Sequence, residues 1–205
     1  STGAIQDLRS ALSLTPSDPF LHERLAWVHG AGATIDASRR SEHLSSAVTH
    51  LHRAIALAPE NPFLHRSLAA LAVPQGEPFL QVGLRAARGA VQRDRGLLTD
   101  LVDRFVPLGL SETQWVTLVP DSTLDRLELG ALLEARALLS EAGHVYQRAL
   151  ELATPAEAAL GRWMLAGLLM RQGNVPGATI ELAGHSGMFD YVEFDDLFVA
   201  SKGLV

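Results

Sequence analysis

Three groups of side chains have types and spacings that could do chemistry. The first is His43, His50 and His52. Imidazole is a common metal ligand and a general acid or base. On a helix, His43 and His50 share a face while His52 does not. A metal site would need a third ligand from elsewhere. His22 and His65 recur at the same place in two similar segments. That placement reads as packing or partner contact rather than catalysis. The second group is Gly184-His185-Ser186-Gly187-Met188. It approaches the spacing of a nucleophile elbow, which needs a glycine where Met188 stands and a strand-to-helix turn. A Gly-rich turn is the better reading. The third is Asp190, Glu193, Asp195 and Asp196. Their oxygens could serve calcium, but the EF-hand spacing is absent. As a strand they read as a charged edge that resists aggregation. No Gly-rich phosphate loop, HExxH motif or carboxylate pair with an evident partner appears. The expectation is therefore no catalytic residue, no cofactor, no metal and no enzyme.

The elements that would position such residues are helical. The chain has 205 residues, 47% hydrophobic and 20% charged, enough for one or two domains with a sizeable core. Net charge is -6, from 17 Lys+Arg and 23 Asp+Glu, which argues against a nucleic-acid partner. There are no cysteines, so disulfides, thiolate zinc sites and thiol nucleophiles are excluded, while the compartment stays open. No apolar run approaches ~18 residues, so no membrane insertion of this segment is expected. Ser1-Thr2-Gly3-Ala4 lacks a basic n-region and an initiator Met, and reads as the edge of an excised segment.

Two patterns repeat. Pro19-Phe20-Leu21-His22-Glu23-Arg24-Leu25-Ala26-Trp27-Val28 parallels Pro62-Phe63-Leu64-His65-Arg66-Ser67-Leu68-Ala69-Ala70-Leu71. Ala4, Leu8, Ala11 and Pro16 share their spacing with Ala47, Leu51, Ala54 and Pro59, and Ala142, Tyr146 and Ala149 repeat most of it. Spacings of three and four place each set on one helical stripe. Small Ala lets a neighbouring helix approach, and the bulky residue between fills the gap. Proline ends one unit and opens the next. Such short helices must stack to bury their stripes.

These patterns resemble the tetratricopeptide repeat family, an all-α solenoid of antiparallel helix pairs. Its first-helix signature corresponds here to Leu25-Ala26 with His29, Leu68-Ala69 with Ala72, Leu129-Gly130 with Leu133, and Leu165-Ala166 with Leu169. The resemblance makes 1–177 one helical repeat domain, regular over 1–72 and 123–172 and degenerate over 73–122. It implies a non-catalytic scaffold whose first helices line a concave groove for a protein or peptide partner. The groove positions would be Phe20, Glu23, Trp27, Phe63, Arg66, Ala70, Leu127, Ala131, Glu134, Trp163, Gly167 and Met170, with Trp27 and Trp163 reading equally well as core aromatics. Glu23 and Arg66 would be charge anchors. The subclass that clamps a C-terminal carboxylate needs Asn where Trp27 and Ala70 stand, so that clamp is not implied.

The departures carry expectations too. Pro16 to Pro59 is 43 residues, against ~34 in the family. Gly30 to Ser41, rich in Gly, Ser and Thr, is the expected loop insertion. Between 78 and 118 the pattern predicts a helix ending at Arg93, a second stripe on Leu97, Leu98, Leu101, Val102 and Phe105, and a short helix opened by a Ser111–Gln114 capping box. Over 178–205 the composition changes, and the prediction is a β-hairpin of 178–183 with 190–199. It would cap the solenoid or pair two copies as a homodimer.

A broader likeness rests on Trp115-Val116-Thr117-Leu118-Val119-Pro120-Asp121, Leu129-Gly130 and Tyr146-Gln147-Arg148-Ala149-Leu150. This is similar to repeat regions that follow the membrane part of bacterial O-antigen polymerase or ligase-like proteins. It implies an extracytoplasmic accessory domain for polysaccharide assembly, with a glycan or a partner subunit as ligand. The scaffold reading is equally compatible with the bacterial cytoplasm.

Overall fold

The structure, a computed structural model, describes residues 2–183. Among them every regular element is a helix. The described residues divide into two compact units, with the boundary between Pro120 and Asp121. The division falls where Pro120-Asp121-Ser122 precedes the return of the regular pattern.

The first unit runs α1 (Thr2–Leu14), α2 (Pro19–Ile35), a 3-10 turn (Ala37–Arg39), α3 (Arg40–Leu57), α4 (Pro62–Ala72), α5 (Leu80–Arg93), α6 (Leu97–Phe105) and α7 (Glu112–Val116). The Asp18 carboxylate accepts from the Phe20 and Leu21 N–H groups, and Pro19 fills the first helical position of α2. At α4 the Asn61 side-chain oxygen accepts from the Phe63 N–H, and Pro62 fills the first position. α2 packs chiefly on α3, and α4 on α5. His22 faces His50 and His29 faces His43, the register of an antiparallel pair. The signature positions Leu25, Ala26, Leu68 and Ala69 are buried, as are Ala47, Leu51 and Ala54 on α3. Each buried Leu contributes roughly 1.5–3 kcal/mol relative to exposure. In the end helix α1, Ala4 is exposed, while Leu8 and Ala11 are half-buried.

The helices expected between 78 and 118 form. Leu98, Leu101, Val102 and Phe105 are buried on α6. The Ser111–Gln114 capping box is complete and opens α7, which ends at Val116.

One expectation in this unit is corrected. Gly30 to Ser41 is not a loop. Residues 30–35 continue α2, and only Asp36 and the 3-10 turn separate α2 from α3. Glycine weakens a helix by about 1 kcal/mol relative to Ala, but here it allows close packing. A Cβ on Gly32 would lie 3.0 Å from the His43 ring, and one on Gly30 would lie 3.1 Å from Leu71 Cδ1. Asp36 then caps the turn by accepting from the Ser38 and Arg39 N–H groups.

The second unit contains α8 (Thr123–Glu134), α9 (Leu139–Leu150), α10 (Pro155–Arg171) and α11 (Val175–Ala183), each packed on the next. Thr154 and Glu157 form a second complete capping box, at the start of α10. Arg126 ties α8 to α9. Its guanidinium donates to the Arg148 carbonyl at 2.7 Å and to Asp121 Oδ1 at 2.7 Å.

The hairpin expectation is corrected on its first strand. Residues 178–183 lie in α11. The Asn174 side chain accepts from the Gly177 N–H at 3.0 Å, and Pro176 suits the first turn. Ala178 is buried. Local capping and one small residue against α10 outweigh the strand propensity of Thr179 and Ile180. The second expected strand, 190–199, and the residues from Gly184 to Met188 lie outside the described residues.

Candidate functional site

In the first unit, α2, α4 and α6 lie side by side, with α4 touching both neighbours. Phe20 and Phe63 are the second residues of α2 and α4, directly after the matching caps and prolines. They are 57% and 54% exposed, and Trp27, two turns on from Phe20, is 44% exposed. Phe20, Arg24 and Trp27 follow an i, i+4, i+7 stripe, so they share a face.

Two polar links hold these helices in place. Ser67 Oγ donates to Glu23 Oε1 at 2.5 Å, joining α4 to α2. Arg66 grips Asp100 with two N–H donors, at 2.7 and 3.2 Å, joining α4 to α6. The hydrogen bonds from Arg66 hold the Asp100 carboxyl below its ordinary pKa, and its nearby charge adds to this. Glu23 and Arg66 were expected to be charge anchors for a partner. In the structure each hydrogen-bonds a neighbouring helix, Glu23 through Ser67 and Arg66 through Asp100. Ala70 is half-buried on α4. The accessible features of this face are therefore Phe20, Trp27, Phe63 and the exposed Arg24.

The positions named on the second unit divide. Leu127 is 3% exposed and belongs to the core, so it cannot meet a partner. It packs where α8 approaches α10, and a Cβ on Gly161 would lie 3.5 Å from it. The Glu134 carboxylate accepts from the Tyr146 hydroxyl at 2.9 Å and pairs with Arg171. Trp163, Ala131, Gly167, Glu134 and Arg171 share the wall of a cavity of about 460 Å³. Met170 lies outside it and is exposed.

The sequence pattern singled out His43, His50 and His22 but not their assembly with His29 into a cluster between α2 and α3. His22 Nδ1 lies 3.1 Å from His50 Nδ1, and His29 Nδ1 lies 3.3 Å from His43 Nδ1. The His29 and His50 rings stack at 5.8 Å. Burial, followed by the neighbouring His43 and Arg9, lowers the pKa of His29. Burial, with His22 and His29 next, lowers that of His50 to about 4. A signal was present. His22 and His29 are seven residues apart, as are His43 and His50. An antiparallel pair with facing stripes brings two such sets together. His52 points elsewhere and lines a smaller cavity with His65. The repeated histidine packs within its own pair. His22 meets His50, while His65 donates its Nε2–H to the Pro59 carbonyl and lies against Gly89.

Among the described residues, no group of three or more His, Asp or Glu is arranged to hold a metal ion. No described helix is long and apolar enough to cross a membrane. The chain matches no protein-family model and no curated protein sequence.

Proposed function

We propose that the chain is an interaction module of tetratricopeptide type, which offers the α2–α4 face to a partner peptide or protein. The observation that carries this reading is the pairing of Phe20 and Phe63. They stand at the same position of neighbouring helices, both are more than half exposed, and the helices beneath them are linked by Ser67–Glu23. Aromatic side chains left in water on a rigid scaffold are good anchors, because few rotamers are lost on binding. The buried Leu-Ala and Ala–bulky–Ala positions support the repeat reading. Arg24, between Phe20 and Trp27, favours partners that carry an acidic residue beside an apolar one.

A displayed library of extended peptides, selected on the full chain, tests the reading. Peptides should emerge that lose at least about tenfold in affinity for Phe20→Ala, Phe63→Ala or Trp27→Ala, a loss of 1.4 kcal/mol or more. Selected peptides that bind the triple variant equally well, with helicity unchanged, would remove the proposal.

A glycan is the second reading, favoured by the cavity of the second unit. Trp163 supplies an aromatic wall, and the Glu134–Arg171 pair supplies charged hydrogen-bonding groups. Sugar rings are held by that combination of apolar face and polar edge. This reading goes with an extracytoplasmic role in O-antigen-like polysaccharide assembly. Binding on a glycan array that disappears with Trp163→Ala would favour it over the peptide reading.

A further inference from the structure

The histidine ladder has a property beyond packing. A contact between two imidazole Nδ1 atoms holds one proton, with one ring donating and the other accepting. An added first proton can go to the outer nitrogen of the donating ring, and the contact survives. A second puts two Nδ1–H donors face to face, and the contact is lost. The ladder contains two such contacts, and its middle rings, His29 and His50, stack on each other.

We propose that the α2–α3 histidine ladder is an acid-triggered latch, closed when its imidazoles are neutral and released when they take up protons together.

The surroundings favour release over accommodation. From α1, Arg9 adds a positive charge near His29 and His50. The carboxylate acting on His29 is Glu42 of α3, and Arg39 already holds it through two hydrogen bonds at 2.9 and 2.8 Å. Glu23 of α2 is occupied by Ser67 of α4. Leu71, also from α4, lies against Gly30. His29 is 6% exposed, and its Nε2 is buried without a hydrogen-bond partner, so a proton placed there meets no acceptor. The α2 side leaves the rings little room, because a Cβ on Gly32 would already lie 3.0 Å from the His43 ring. Repulsion between protonated rings therefore acts to part α2 from α3.

The sign follows from linkage. The pKa values of His29 and His50 are lowered in the folded chain by burial first and neighbouring positive groups second. Their neutral forms stabilise the pair above the free imidazole value of about 6.5. That stabilisation fades as pH falls from there toward about 4, the value for His50. Because α2 also carries Phe20 and Trp27, release would disturb the proposed recognition face. That consequence rests on the binding reading, whereas the latch does not.

The test uses the full chain without any partner, so its failure is distinct from failure of the binding reading. Imidazole signals are followed by NMR from pH 8 to pH 4, assigned with single His→Gln variants. Amide exchange is measured by mass spectrometry at pH 7 and pH 5 and corrected for intrinsic rates. The expected result is that His29 and His50 titrate late and steeply. In step, protection across 19–57 falls about tenfold or more, while α10 keeps its own. A His29→Gln/His50→Gln double variant should lose this pH dependence. If that variant does not fold, the wild-type data still decide. Protection of 19–57 that is constant down to pH 5, or imidazoles that titrate with no loss of protection, would overturn the latch.

Discussion

The Tyr146 ring stands where a side chain on residue 130 would have to be. A Cβ added to Gly130 would overlap the Cε1 and Cδ1 atoms of that ring. α8 and α9 approach this closely because one helix supplies no side chain at the crossing and the other supplies a large flat one, fully buried. The Tyr146 hydroxyl then reaches Glu134, one turn further along α8.

This contact predicts opposite signs for two glycine substitutions. Gly130→Ala should destabilise the second unit by about 1–3 kcal/mol, as overpacking does. Gly167→Ala should stabilise it by up to about 1 kcal/mol, because Ala is the better helix former. A Cβ there would meet nothing closer than Arg171 Nη2 at 3.8 Å. Urea unfolding followed by circular dichroism measures both. Equal effects would mean that the Gly130–Tyr146 crossing is looser than described.

The caps predict damage confined to one unit. Asp18→Ala removes the side-chain acceptor of α2, and Thr154→Ala removes half of the capping box of α10. Each should cost about 1 kcal/mol. Amide exchange should show lowered protection in α2 for the first variant and in α10 for the second. If both variants weaken both helices equally, the two units unfold as one.

Tyr146 predicts an alkaline limit. Burial raises its pKa above the ordinary tyrosine value. A raised acid pKa stabilises the fold at pH below the unfolded value of about 10 and loses that contribution as pH rises past it. Tyr146 should therefore ionise only as the second unit unfolds. Phenolate absorbance and helicity should change together, and Tyr146→Phe should remove that part of the absorbance change. Ionisation near pH 10 with helicity intact would contradict the burial.

How much of this was legible depends on whether the interaction lies within one helix. The i, i+3 and i+4 spacing of Ala47, Leu51 and Ala54 fixes a stripe, and a stripe of small and bulky apolar residues must be buried. The same holds for Leu25-Ala26 and Leu68-Ala69. Caps are local as well, so Ser111 with Gln114 was readable in full. The Gly30–Ser41 segment was misread because composition marks glycine as a loop former. Only the neighbouring Leu71 and His43 show that these glycines are spacers inside α2.

The candidate site was readable in type but not in state. The family resemblance marked Phe20 and Phe63 as groove positions, while Trp27 read equally well as groove or core. Whether Glu23 and Arg66 were free depended on Ser67 and Asp100, the latter 34 residues beyond Arg66 and on another helix. Leu127 looked like a surface position until α10 covered it. The histidine ladder is the clearest case. Each helix alone shows two histidines seven residues apart, an ordinary pattern. Their chemistry arises only when the antiparallel register sets Nδ1 against Nδ1. By itself the sequence determined most of the helices and the stripe of each that must leave water, because those depend on local propensity and periodicity. It did not give the helical state of 30–35 or 178–183. The tertiary structure alone decided which polar groups face each other and which charges are already occupied. Those depend on separations of a few ångströms between residues distant in the chain.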